Sequence, residues 1–592
     1  MRAEELFEEL SKVVVRWRSL WLLIAALWAS VPALATVARA AEDLPQSSAG
    51  DVAAGILAGL ILAGLIVYAL CLAVAPVVRA QRRDFGRALL FLTGLLILKI
   101  FALRVSHGFT VDVGTYEAWG LQLAAGGPAS MYQSGFFLDY PPGYLYALWA
   151  AGTVAKAIGA SGDLLRMVIG SPPLLADFAL AILIFALVRR FATRSSAWLA
   201  LLLVALNPAL LFDSIVWIQS DSALALVMFL SVVMLLDEEM EVAWALAALS
   251  VLMKPQALAL IPVLAVWSAI RGNLEQWLRA GLAIIAVVII GVAPFQVGHP
   301  WNWLPQLYLS TAAYYHETSV NAFNFMALLG GIRASDADTI FGLSYFSIGL
   351  GLLVPLYGFV AWLLWRYPTR RNLLFAAFIA VFGFFMFAPR MHERYLYPAI
   401  VLVVPLAVTE SGALALFALL TLTGFINLAD VLHTLQTSVF LSPREPLAMA
   451  ISIANLLIFA LAAFYFYTYS NAPEAASDGE GKVQNWTPEA LLPYRLWVTS
   501  ALKPQSLEDF VPFAWLTADT IAVLALVGIA GALRFWNLGH PNEIVFDEVH
   551  FVGQARHYIH GEPFLDPHPP LAKLLIAGGI LLFGDHSRSW RL

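Results

Sequence analysis

The chain has 592 residues, 60% hydrophobic and only 12% charged, with a formal net charge of −6 and a mean hydropathy of +0.78. Soluble domains carry about 25% charged residues, so the composition excludes a water-soluble globular protein, and the acidic balance argues against a nucleic-acid partner. Many apolar runs reach the ~17–25 residues that cross a bilayer as a helix, which predicts an all-α multispan membrane protein.

In chain order, residues 1–18 mix Glu4, Glu5, Glu8 and Glu9 with Lys12, Arg16 and Arg18. An apolar run follows, then Ala38-Arg39-Ala40, which has the form of a signal-peptidase site. A cleaved leader and an uncleaved first membrane helix both fit; the long acidic start favours the helix. Apolar runs predict spans near 19–40, 52–78, 88–105, 172–188, 196–214, 220–236, 242–270, 279–297, 340–365, 372–388, 396–409, 413–428, 447–469 and 517–536, with Lys254-Pro255 breaking the 242–270 run. The lone cysteine, Cys71, lies inside one of these runs and allows no internal disulfide.

Basic clusters stay on the cytoplasmic side of membranes. Here they are Arg79, Arg82, Arg83 and Arg87; then Arg189, Arg190 and Arg194; then Arg271 and Arg279; then Arg366, Arg370 and Arg371. This places loops 41–51, 106–142, 298–339 and 389–395 outside. A full crossing by 143–159 would put Arg189 and Arg190 outside as well, so that segment either lies shallow or breaks the rule. Residues 470–516, including SNAPEAASDGEGKVQN, form a polar cytoplasmic linker. The expected organisation is an extra pair of membrane helices (1–84), a large module (85–469), the linker, and a short second module (517–592).

The two modules share a phrase. Each has an apolar helix (88–105, 517–536), then an acid (Asp112 in TVDVGTYEAWG, Asp547 in VFDEVHFVGQA), an aromatic-rich stretch, and a proline-led apolar segment (FLDYPPGYLYAL, FLDPHPPLAKLLI). Prolines suit the first turn of a helix, where a missing N–H costs nothing. An outward-facing helix N-terminus supports a phosphate or carboxylate, although Asp139 is read more simply as a cap.

IVFDEVHFVGQARHYI and LDPHPPLAKLLIAGGILLFG, with the closing GDHSRSWRL, resemble the opening of the protein O-mannosyltransferase family over about 530–592. DVGTYEAWG, LDYPPGYLYAL, WIQSD, LMKPQALALIP and PRMHERYLYP resemble the wider class of integral-membrane glycosyltransferases with the GT-C fold. The resemblance implies a GT-C-like helix bundle with an outward-facing first catalytic loop, a polyprenyl-phosphate-linked sugar as donor, and a protein or glycan acceptor. It implies Asp112, Asp547 and Glu548 as catalytic acids, and Asp566 and His568, in a phrase like that family's acid and His-Pro-Pro, as substrate- or phosphate-binding residues. Asp112 is followed by Val113 and then Glu117, not by a second acid, so the first module differs in acceptor or in its handling of a divalent metal. No other cofactor is implied, and the metal ligands stay unassigned.

Glycosyl transfer from a lipid phosphate needs a base at the acceptor hydroxyl and positive groups at the leaving phosphate. Arg390, His392 and Arg394 are candidate phosphate binders, because guanidinium forks suit phosphate and outer-side arginines run against the charge bias. An ion pair with Glu393 would equally order that loop. Lys254 either holds the phosphate or snorkels. Gln219 and Asp221 either orient sugar hydroxyls or cap a helix, and Asp177 is a functional membrane acid or an interhelical hydrogen bonder. The expectation is a multi-pass plasma-membrane mannosyltransferase, active on the non-cytoplasmic face and acting on protein Ser/Thr. A transporter, and a non-catalytic subunit that binds lipid-linked sugar, are the alternatives.

Overall fold

The computed structural model describes residues 49–133, 136–438, 442–471, 542–545, 548–561 and 571–591. Asp547, Asp566, His568, the 19–40 and 517–536 runs and nearly all of the linker lie outside these residues. The chain divides into two compact units, Met1–Leu502 and Lys503–Leu592.

The described part of the first unit is helical apart from one β-hairpin. Among the described residues, nine helices are long and apolar enough to cross a membrane, by length and composition. The first two, α1 (Ala49–Ala80) and α2 (Arg82–Val105), are followed by α3 (Thr110–Gly126), α4 (Pro142–Ala157) and the short α5 (Gly162–Ile169). Then come α6 (Ser171–Phe191), α7 (Arg194–Ala205), α8 (Asp221–Leu236) and α9 (Met240–Met253). The expected break at Lys254-Pro255 is present: Lys254 is extended, and a 3-10 turn Pro255–Leu260 leads into α10 (Ile261–Arg271). Next are α11 (Leu274–Val292) and the loop helix α12 (Trp303–Tyr314). The unit closes with α13 (Tyr345–Arg366), α14 (Arg370–Phe387), α15 (Tyr397–Ala407), α16 (Ser411–Thr437) and α17 (Pro446–Tyr469). The hairpin pairs Thr339–Ile340 with Leu343–Ser344 just before α13.

Ion pairs show which helix ends share a side. Asp84, at the start of α2, meets Arg194 at 3.1 Å and Arg189 at 4.0 Å. Arg190, at the end of α6, pairs with Asp237 just past α8. Arg371 of α14 binds Glu410, between α15 and α16, at 2.6 Å and donates to the Tyr469 carbonyl at the end of α17. The basic clusters thus gather at one end of the bundle. At the other end Ser106, just past α2, donates to the Val216 carbonyl, and Gln436 near the end of α16 donates to the Gly108 carbonyl.

This arrangement answers the question posed by 143–159. α6 begins beside Ile218 and Leu103, which approach Gly170, and ends at the arginine cluster. The chain therefore returns to α6 on the side where α2 left it, and α3, α4 and α5 make no net crossing. Arg189 and Arg190 keep their place with the other basic residues, at one end of the bundle.

α3 and α4 pack side by side, in parallel. Tyr116 meets Tyr140 and Tyr144, and Lys156 donates to the Ala124 carbonyl. Their crossing needs two glycines: a Cβ on Gly152 would lie 2.0 Å from the Gly120 carbonyl oxygen. At the head of α4, a Cβ on Gly143 would lie 2.7 Å from the Leu252 backbone, so the end of α9 seats directly against it.

Within the second unit, α18 (Glu548–His560) is followed by α19 (Leu571–Phe583) and α20 (Ser587–Arg591). Val552, Ala555, Ala577 and Ile580 form its small core.

Candidate functional site

Asp112 lies in the first turn of α3, not in a loop as its sequence position suggested. Two side chains converge on its Oδ2: Trp217 Nε1 donates at 3.0 Å and Gln219 Nε2 at 2.6 Å. A carboxylate can only accept, so this contact fixes the Gln219 amide with Oε1 outward. That oxygen accepts from Tyr116 OH at 3.0 Å, and Tyr140 shares a 2.9 Å hydrogen bond with the same hydroxyl. With its own proton given to Gln219, Tyr116 must accept from Tyr140.

The backbone that aims these donors is unusual. Phe212–Trp217 is a turn of π-helix, and Ile218 after it is left-handed at φ +67°. Isolated π turns concentrate at functional sites, and a β-branched residue at positive φ is a strained outlier. The strain turns the chain so that Trp217 and Gln219, two residues apart, both reach Asp112. Helix capping, the alternative role for Gln219, does not apply, since the cap residue of α8 is Ser220 and makes no side-chain cap bond.

Asp221 opens α8, where the helix dipole favours an anion, and is wholly buried. Its Oδ2 accepts from Lys254 Nζ at 2.9 Å and its Oδ1 from Gln256 Nε2 at 3.2 Å. Arg394 Nε stands 3.8 Å from the same Oδ2, and Arg394 Nη1 donates to Glu393 at 2.7 Å. Lys254 is 4% exposed, so it is buried and paired rather than snorkelling. Its ammonium also lies 5.3 Å from the centre of the Tyr140 ring, which joins this ionic chain to the Asp112 cluster.

Three buried atoms here have no protein hydrogen-bond partner: His392 Nδ1, Glu393 Oε2 and Arg394 Nε. The first two stand 4.0 Å apart, and the His392 ring packs edge-on against Tyr315. Burial raises the affinity of the Glu393 carboxyl for a proton, against the opposing pull of Arg394. Burial also lowers the basicity of His392, helped by Arg394 and Lys254.

Asp139 does not cap α4. The cap residue is Pro141, and no side-chain cap bond is present. Its half-buried carboxyl instead feels Arg394, Lys254 and Asp112, and burial raises its proton affinity.

The structure thus brings together Asp112, Gln219, Asp221, Lys254, His392 and Arg394, with Asp139 beside them. It does not bring Arg390 in. That residue, left-handed at φ +65°, pairs with Asp336 at 2.6 Å, donates to the Ala312 carbonyl and lies 4.5 Å from the Phe346 ring centre. Asp177 is an interhelical tie: it accepts from Lys99 at 3.2 Å, Ser214 at 2.7 Å and Tyr397 at 2.7 Å. Trp217, Tyr116, Tyr140 and Gln256 join the site without having been singled out as candidates. Each sits within or beside a phrase already quoted, but aromatic residues in a greasy chain carry no distinguishing signal. Asp213, on the π turn, is fully buried and neither of its carboxylate oxygens has a hydrogen-bond partner.

In the second unit Glu548 is the first residue of α18 and accepts from Arg591 Nε at 2.5 Å and Nη2 at 2.8 Å. The Arg591 contact lowers its proton affinity. Among the described residues, no group of three or more His, Cys, Asp or Glu side chains is placed to hold a metal ion.

Residues 524–590 match the family model described as dolichyl-phosphate-mannose-protein mannosyltransferase. Dolichyl-phosphate-mannose--protein mannosyltransferase 4 of Schizosaccharomyces pombe is 49% identical over 57 residues, 10% of this chain and 7% of that protein. Dolichyl-phosphate-mannose--protein mannosyltransferase 1 of Candida albicans is 59% identical over 51 residues, 9% and 6% of the two chains. Polyprenol-phosphate-mannose--protein mannosyltransferase of Mycolicibacterium smegmatis is 37% identical over 97 residues, 14% of this chain and 18% of that one. The chain therefore spans less than a tenth of the length of the first two of these relatives. Apo ArnT from Cupriavidus metallidurans aligns over 65% of this chain and 78% of its own, with 17% identity and a TM-score of 0.39, too low to carry weight. Over its C-terminal stretch, 524–590, this multispan helical chain resembles the dolichyl-phosphate-mannose-protein mannosyltransferases.

Proposed function

We propose that the chain is a membrane glycosyltransferase that moves mannose from a polyprenyl-phosphate carrier to a protein Ser/Thr hydroxyl. The 85–469 module supplies the site, and the basic end of the bundle faces the cytoplasm, so transfer occurs on the opposite face. The observation that carries the reading is the continuous cluster at one end of the bundle. In it a positioned carboxylate, Asp112, stands near two cations, the buried Lys254 and the partly buried Arg394. The mannosyltransferase likeness of 524–590 supports the choice of sugar and acceptor.

Trp217 and Gln219 occupy Oδ2 of Asp112 and fix the carboxylate plane. Oδ1 then takes the proton from the acceptor hydroxyl. As the acceptor's hydroxyl oxygen bonds to the anomeric carbon, the bond from that carbon to the phosphate oxygen breaks, and its electron pair leaves on the phosphate. The displacement inverts the anomeric centre. Lys254 and Arg394 stabilise the charge that grows on the leaving phosphate, in a site where water does not screen it.

Both cations already face acids, Asp221 and Glu393. An arriving phosphate therefore competes with carboxylates for them. Glu393 and Asp139 ease that competition, because burial has already raised their proton affinity and a proton on either removes one negative charge. His392 Nδ1 and Glu393 Oε2, both without a protein partner, are placed to hold sugar hydroxyls.

The test is transfer of radiolabelled mannose from a polyprenyl phosphate to a Ser/Thr peptide by purified full-length chain. Asp112→Asn lowers kcat about 10²–10⁴-fold and leaves donor binding intact. Unchanged turnover in that variant, or donor flux across vesicles without transfer, overturns the proposal.

A further inference from the structure

At the arginine end of the bundle, far along the helices from Asp112, a cavity of about 330 Å³ opens among the ends of α8, α9, α10, α11 and α14. Arg271, Arg370 and Glu238 contribute its charges; Trp267, Met240 and Gln276 contribute wall. Two properties set it apart from a gap between helices. First, the Arg271 guanidinium is oriented: it lies 5.2 Å from the Trp267 ring centre and donates to the Pro368 carbonyl at 2.7 Å. Second, Glu238 occupies the left-handed position that follows α8, at φ +63°. Glycine is the usual residue there, because it carries no Cβ penalty. The chain keeps an exposed carboxylate at that position instead.

The cavity lies where α11, α13 and α14, three of the candidate spans, begin or end. Phospholipid headgroups are the small charged molecules present at that depth, and basic pockets between membrane helices recognise their phosphates. The volume is at the small end of ligand sites, which suits a headgroup rather than a larger solute. Two guanidiniums and one carboxylate complement a group that carries a phosphate and an amine together. We propose that this cavity binds the headgroup of an amine-bearing phospholipid in the leaflet at the arginine end, its phosphate on Arg271 and Arg370 and its ammonium on Glu238. The site is independent of the transfer reaction and of any residue assigned to it.

The test is native mass spectrometry of full-length protein, stripped of lipid in detergent and offered phosphatidylethanolamine, phosphatidylglycerol or inorganic phosphate. The parent chain retains phosphatidylethanolamine about tenfold better than phosphatidylglycerol, one charge-assisted contact's difference. Glu238→Gln abolishes that preference while phosphatidylglycerol binding and mannosyl transfer stay unchanged. Arg271→Gln with Arg370→Gln weakens retention of both lipids about tenfold or more. Equal retention of the two lipids by the parent chain overturns the proposal. So does a preference that survives Glu238→Gln, or saturation by inorganic phosphate with no lipid retained. Because Glu238 is exposed, that variant keeps the test decisive even where the double arginine variant fails to fold.

Discussion

Replacing Lys254 by methionine separates what the buried ion pair does for folding from what it does for catalysis. Asp221 is completely buried and Lys254 nearly so, with 2.9 Å between their charged atoms. At an effective dielectric constant of 20, that separation corresponds to about 6 kcal/mol of gross attraction, most of it offset by the desolvation of both ions. Removing one partner leaves the other charge buried, which typically costs 3–5 kcal/mol. Arg394, 3.8 Å from the same oxygen, recovers part of this loss, so we expect about 3 kcal/mol. The double variant Lys254→Met, Asp221→Asn removes both charges and recovers most of the stability, but transfer stays absent because the phosphate cation is gone. The assay is tryptophan-monitored unfolding in detergent, paired with the mannosyl-transfer assay. A single variant as stable as the parent, or a double variant that regains transfer, refutes the reasoning.

Gln219→Leu removes one of the two donors to Asp112 Oδ2 and lowers kcat about tenfold, the scale of one charge-assisted hydrogen bond, with KM for the donor unchanged in steady-state kinetics. Donor affinity falls as pH rises, because burial raises the proton affinities of Glu393 and Asp139 and the protonated forms, present at lower pH, relieve repulsion of the phosphate. Glu393→Gln with Asp139→Asn flattens that dependence in equilibrium binding of labelled carrier lipid. Gly152→Ala sets a methyl 2.0 Å from the Gly120 carbonyl oxygen, beyond the ~1–3 kcal/mol of ordinary overpacking, and sharply lowers the yield of monodisperse protein on gel filtration.

Hydropathy made the helical architecture legible, since runs long enough to span a bilayer stand out whatever their tertiary partners. It located the Lys254-Pro255 break for the same local reason: proline lacks the N–H and clashes with the preceding turn. Hydropathy did not resolve 143–159. A 16-residue apolar helix that packs on α3 reads like a short span, and only the contacts of Gly170 and Arg189 show on which side it returns. Charge alone drew attention to Arg390 and Arg394 equally. What distinguishes them is Asp336, 54 residues upstream, which takes Arg390 away. Asp139 looked like a cap because its place before two prolines is where caps occur; the proline itself took the cap position. Trp217 was hidden because its role depends on a π turn, and no residue pattern announces one.

The glycine contact between α3 and α4 has a consequence for how such a chain can change over time. With Gly120 and Gly152 in backbone contact, the two helices form one stiff bracket, and Asp112 is set by the bracket rather than by the strand of chain that joins its arms. Residues 127–138, ahead of Asp139 and Tyr140, can then be lengthened, shortened or recomposed to suit a new acceptor while the base keeps its height and bearing.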